Sequence, residues 1–187
     1  MIQANIQELK PPVGLNVKIK LSDVMSEKAD ACMVPQYDKT ISNKGASLSL
    51  SKSQAINGIK ALFDKQKISR LPFGSALMAP CGGNNYRYLL NISVLGLKKE
   101  ISSFVALYFS TRVALRCAEK TKLKTIVIPT ATKEENNLLT NEDMSLSILK
   151  AIFDIKNELR YIKEITILVS DQTALSVYQK TLEAIPK

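Results

Sequence analysis

At 187 residues, with 45% hydrophobic and 23% charged side chains, the chain is long enough for one globular domain with its own core, and its composition excludes disorder beyond the termini. With no histidine, Ser-His-Asp and Cys-His catalysis and imidazole zinc sites are excluded, and three cysteines (Cys32, Cys81, Cys117) fall short of a thiolate-only zinc site and form no disulfide framework. The net charge of +9 is uneven, with +11 on residues 1–132 and −2 on residues 133–187.

Residues 1–14 read as an N-terminal arm or edge strand containing Pro11-Pro12, and residues 15–187 as a single α/β domain. The arm has no basic region followed by an apolar core, and no run approaches the roughly 18–20 apolar residues that cross a bilayer. The expected location is cytoplasmic, with no membrane partner. Asn16–Leu21 alternates polar and apolar, so a half-exposed strand with Val17, Ile19 and Leu21 inward is predicted. Ser22-Asp23-Val24 opens a turn. Ala31–Val34 is a short apolar run ended by Pro35, the pattern of a central strand.

A polar stretch from Gln36 to Ser47 carries the turn signal Asn43-Lys44-Gly45. Ile56, Ile59, Leu62 and Phe63 then recur at helical spacing. Leu71-Pro72-Phe73-Gly74 turns into a strand at Ser75–Ala79, Pro80–Asn85 reads as a hairpin loop, and Tyr88–Val94 as its partner strand. Ile101–Lys120 is predicted as a long helix whose buried stripe is Ile101, Val105, Tyr108, Phe109, Val113 and Cys117.

Thr125–Ile128 is a β-branched strand stopped by Pro129. The polar loop after it exceeds the usual 2–6 residues of a strand-to-helix connection. In an open α/β sheet, ligands bind where loops leave the carboxyl ends of strands, so this loop is the first candidate for function. Thr140 or Asn141 caps a helix running to about Tyr161, Glu164–Val169 is the last strand, and Ser170-Asp171 caps a terminal helix carrying Leu175, Tyr178 and Leu182. The whole reads as a three-layer α/β/α sandwich with a mixed central sheet.

Several phrases, in this order, resemble those of a macro domain, the module that typically binds ADP-ribose. They are Ser22-Asp23-Val24, then Asp30-Ala31-Cys32-Met33-Val34-Pro35, Pro72-Phe73-Gly74-Ser75-Ala76, Tyr88-Leu89-Leu90-Asn91 and Ile126-Val127-Ile128-Pro129. The resemblance spans roughly Leu15 to Ile185. It implies that Asp23, with Val24, receives the adenine amino group, a task suited to an acceptor-only carboxylate. It implies ribose and phosphate contacts from Val34, Tyr37, Asn43, Lys44, Gly45 and Ala46, and from Thr132, Lys133, Glu134, Asn136 and Asn137. The first of these segments has one glycine where the family has three. The second has none, and adds Glu134 and Glu135, which repel a diphosphate.

The resemblance thus implies a non-catalytic binding module for ADP-ribose or a related adenine nucleotide, its pocket open to degeneration, with no cofactor and no metal. The basic balance supports an alternative, single-stranded RNA or DNA. Scattered solubilising lysines give the same net charge, and only geometry separates the two readings. ADP-ribosyl hydrolysis, which in the resembling family relies on the Asn- and Gly-rich segment, is the remaining alternative. Oligomeric state has no signal in the sequence.

Overall fold

The computed structural model describes residues 14–36, 49–50, 57–67, 71–81, 85–94, 103–130 and 139–186. The alternation after Leu15 becomes strand β1 (Asn16–Leu21), which buries Val17 and Ile19 and leaves Leu21 half-buried. Its other face carries Lys18 and Lys20, paired with Glu164 at 2.8 Å and Glu27 at 2.6 Å. Lysines on an edge strand discourage pairing with another chain.

Strand β2 (Ala29–Gln36) buries every side chain from Ala31 to Val34. It does not stop at Pro35, as the sequence suggests. Its register with β5 (Thr125–Pro129) covers only Ala31 and Cys32, so Pro35 lies where β4 (Tyr86–Ser93) alone runs alongside, and proline is tolerated on such an open side. β3 (Ala76–Pro80) and β4 form the expected hairpin, and β6 (Glu164–Val169) completes the sheet in the order β1-β6-β5-β2-β4-β3. Only β3 runs antiparallel. β2 and β5 are the two central strands, as expected.

Helices cover the two faces. α1 (Asn57–Gln66) buries Ile59 and Phe63 in a cluster with Cys32, Val34, Leu89 and Val127. It lies so close to β3 that a Cβ on Gly58 would come 2.2 Å from the Pro80 carbonyl oxygen. The opposite face carries α2 (Ser103–Lys120), α3 (Asn141–Asp154) and α4 (Gln172–Ala184), which share the larger core with Met33, Ile128 and Ile167.

Two helical expectations need correction. α2 buries Ala106, Leu107, Ser110, Thr111, Ala114, Leu115 and Ala118, whereas Phe109 is 44% exposed and Val105, Tyr108, Val113 and Cys117 are only half-buried. Small side chains let the helix approach the sheet and α3 closely, and the larger residues are left at the margin. α3 ends at Asp154 rather than near Tyr161 and passes into a 3-10 turn, Lys156–Glu158. The Glu119 carboxylate then accepts the amides of Arg160, Tyr161 and Ile162 at 2.7–3.1 Å, which binds this connection to the end of α2. The capping expectations hold. Thr140 and Asp143 form a reciprocal capping box on α3, and Asp171 accepts the Ala174 amide at 2.8 Å to start α4.

Candidate functional site at the carboxyl ends of the strands

Because β1, β6, β5, β2 and β4 run in parallel, their carboxyl ends gather at one end of the sheet, and the N-termini of α3 and α4 open there too. Asp23 sits just past β1. Its backbone is extended, and Oδ1 accepts the Met25 amide at 2.7 Å, the cap of a 3-10 turn over Val24–Ser26. Its own carbonyl accepts the amide and the hydroxyl of Ser26 at 3.1 and 2.7 Å. The side chain is exposed, and Oδ2 has no hydrogen bond among the described residues. The turn is therefore held by one carboxylate oxygen, and the other has no partner among the described residues.

Val24 is buried beneath this turn, and its carbonyl accepts the Tyr86 hydroxyl, while Asn85 Nδ2 donates to the Met25 carbonyl at 2.6 Å. Burial pushes the Tyr86 phenol far above its ordinary value, so it remains a donor. Beside it, burial pushes the Glu27 carboxyl up. Hydrogen bonds from Lys20 (2.6 Å) and Ser22 (2.7 Å) outweigh that and hold it below the usual range. The backbone around Asp23 is thus anchored on both sides.

Val34 lies on β2 with its side chain fully buried, in register with Asn91 of β4. Asn91 is 1% exposed, and neither polar atom of its side-chain amide has a hydrogen-bond partner among the described residues. On the other face of the sheet, a narrow apolar pocket runs under the strand ends, lined by Met33, Pro35, Ile92, Leu107, Ile128, Pro129, Thr130, Met144 and Ile148. Thr130 closes one side, its amide and hydroxyl both donating to the Leu168 carbonyl at 2.8 and 2.9 Å.

Asp23, Val24 and Val34 are thus the site residues that lie among the described ones, all toward this end of the sheet. Tyr37, Asn43, Lys44, Gly45, Ala46, Thr132, Lys133, Glu134, Asn136 and Asn137 lie outside the described residues. Among the described residues no three Cys, Asp or Glu side chains converge as a metal site. No described helix is long and apolar enough to cross a membrane.

The Oceanobacillus iheyensis macrodomain with ADP matches this architecture with a TM-score of 0.79 at 13% identity, over 96% of this chain and 97% of that one. The chain has a macrodomain fold. The macro domain of ganglioside induced differentiation associated protein 2 matches with a TM-score of 0.72 at 17% identity, over 89% of this chain and 82% of that one. The Trypanosoma brucei macrodomain in complex with ADP gives 0.71 at 12% identity, over 89% and 68%. No family model and no curated protein matches the sequence. At these identities the likeness is one of fold. The residues that carry ligand chemistry must be argued from this chain itself.

One residue of the macrodomain-like phrases had no role assigned from sequence. Asp30, at the start of β2, accepts the Lys124 and Thr125 amides on Oδ2 at 2.7 and 3.2 Å, and its own amide donates to Thr125 Oγ1 at 2.8 Å. It ties the amino ends of the two central strands together. Its partners are 94 and 95 residues away, and no local pattern carries that signal.

Proposed function

We propose that the chain is a non-catalytic macro-type module that binds ADP-ribose or a related adenine nucleotide at the carboxyl end of its sheet. The observation that carries this reading is Asp23, an exposed residue whose turn is held by Oδ1 while Oδ2 has no partner among the described residues, at the sheet end where α/β proteins take ligands. A carboxylate oxygen so placed accepts an exocyclic amino group, with Val24 fixing the turn beneath it. Support for the ligand class comes from the neighbours, since the Oceanobacillus iheyensis and Trypanosoma brucei macrodomains are described with ADP, and a variant of the former with ADPR.

In this reading the ribose and phosphates fall to Val34, Tyr37, Asn43, Lys44, Gly45, Ala46, Thr132, Lys133, Glu134, Asn136 and Asn137. Binding without turnover is favoured because Val34, which stands in the segment that hydrolases of the family use to orient water, is apolar and fully buried. Residues 15–187 form the working unit, with residues 1–14 as an arm. Three free cysteines suit a reducing compartment such as the cytoplasm.

Thermal denaturation with ADP-ribose, ADP and GDP tests the reading. A rise in Tm that grows with ADP-ribose and ADP, and not with GDP, is expected. Equal shifts with GDP, or none with any ligand, would overturn it. The basic surface favours a second ligand, a single-stranded nucleic acid, at a different place.

A further inference from the structure

The amino ends of the parallel strands hold an open groove of about 650 Å³ lined by Lys28, Asp30, Arg87, Tyr88 and Thr125, and by Asn85 and Tyr86, whose side chains also anchor the turn after Asp23. The cations continue beyond it in one line. Arg87 pairs with Asp30 at 3.4 Å, and Asp30 accepts the Lys124 amide. The Lys124 carbonyl accepts the Lys163 amide at 2.8 Å, and Lys163 Nζ donates to the Arg160 carbonyl at 2.7 Å. All these cationic side chains are exposed. Of the neighbouring carboxylates, Asp30 accepts the Lys124 and Thr125 amides besides pairing with Arg87, Glu119 accepts the amides of Arg160, Tyr161 and Ile162, and Glu164 pairs with Lys18 at 2.8 Å. Among the described residues, Lys28, Lys124 and Arg160 form no ion pair.

Aromatic rings are interleaved with these charges. Tyr161 is 45% exposed, and Lys122 Nζ lies 5.4 Å from its ring centroid. The Arg87 guanidinium lies 5.7 Å from the Tyr88 ring. A line of cations with an exposed ring at one end and a half-buried ring at the other is what a phosphate backbone with unstacked bases needs. A duplex keeps its bases stacked and gains nothing from the rings.

We infer that this end of the molecule binds single-stranded nucleic acid, with phosphates along Lys28, Arg87, Lys124, Lys163 and Arg160 and a base on Tyr161. The site is separate from the proposed nucleotide cleft and stands or falls without it.

Fluorescence anisotropy on the full chain, with a labelled oligouridine of about 12 nucleotides and a duplex of equal length, tests the inference. Affinity for the single strand is expected to fall about 100-fold between roughly 50 and 200 mM salt, the response to about five phosphate contacts. Lys124→Glu and Arg160→Glu should each weaken binding about tenfold and make the salt dependence shallower by about 0.7 in logarithmic slope. Tyr161→Ala should weaken it about tenfold with the slope unchanged. Lys180→Glu on α4 makes the same change in net charge and should cost less than about twofold. Saturating ADP-ribose, or Asp23→Ala, should leave oligouridine binding unchanged. The inference is overturned if Lys180→Glu weakens binding as much as Lys124→Glu, since net charge then explains everything. Equal affinity for the duplex with no effect of Tyr161→Ala overturns it too, as does competition by ADP-ribose.

Discussion

Asp23 has two roles that substitutions can separate. Asp23→Ala removes the cap on Met25 and is expected to cost about 1 kcal/mol of stability, together with about tenfold in ADP-ribose affinity. Asp23→Asn retains an oxygen to cap the turn, so stability should hold while affinity still falls with the lost charge. Equal affinity in all three proteins would remove Asp23 from the site. Asp30 makes a different prediction, in pH. Burial pushes its carboxyl up, but the Lys124 and Thr125 amides and Arg87 outweigh this and hold it below the ordinary value. A folded carboxyl more acidic than the unfolded one contributes its full stability above the unfolded value, about 4, and loses it as pH falls through the folded value. Asp30→Asn should therefore flatten the acid decline in Tm below about pH 4 and lower Tm at neutral pH. An unchanged acid profile would contradict the assignment. The turn at Asp23 was legible in sequence because its bonds close within two and three residues, whereas the partners of Asp30 come from a distant strand.

At the scale of elements, the sequence signals were strongest where chemistry is local. Thr140 and Asp143, and Asp171, mark helix starts because their bonds close within three residues. The orientation of α2 was less legible, since it carries one stripe of large residues and another of small ones, and the neighbouring layers select the small stripe. Leu115→Ala is expected to destabilise by about 3 kcal/mol and Val113→Ala by less than about 1 kcal/mol, measured by denaturant unfolding. The reverse order would show that the large stripe is the core face after all. The end of α3 was misjudged for a related reason. Ile155, Leu159 and Ile162 are buried, so apolar spacing continues although the helix does not. Gly58 lay inside an ordinary helical pattern, and only the packing of α1 on β3 shows why a side chain is excluded. Gly58→Ala should cost about 2–3 kcal/mol through overlap with the Pro80 carbonyl, despite the better helix propensity of alanine. A neutral or stabilising result would contradict that packing.

At the scale of the whole molecule, the five parallel strands of the mixed sheet separate two kinds of surface. The carboxyl ends carry Asp23 and two helix N-termini, and the amino ends carry the line of cations. The mixed sheet, its central strands and the layers were readable because alternation, apolar runs and prolines report burial directly, whereas the strand order came only from the structure. That a macrodomain fold persists at 12–17% identity reflects the tolerance of a core for any apolar residues of suitable volume. Ligand loops have no such tolerance, and the glycine-poor segments around Gly45 and Glu134 are where sequence resemblance carries least. The basic end was invisible from sequence for another reason. Its cations come from four separate stretches, and only the sheet brings them together.

The Asp23 end is proposed as a working nucleotide cleft. Calorimetric titration of ADP-ribose into the full chain, beside Asp23→Asn, tests this most directly. The expected result is saturable one-to-one binding that changes little with salt and weakens about tenfold in the variant. No heat of binding up to millimolar ligand, or identical isotherms for the two proteins, would contradict it.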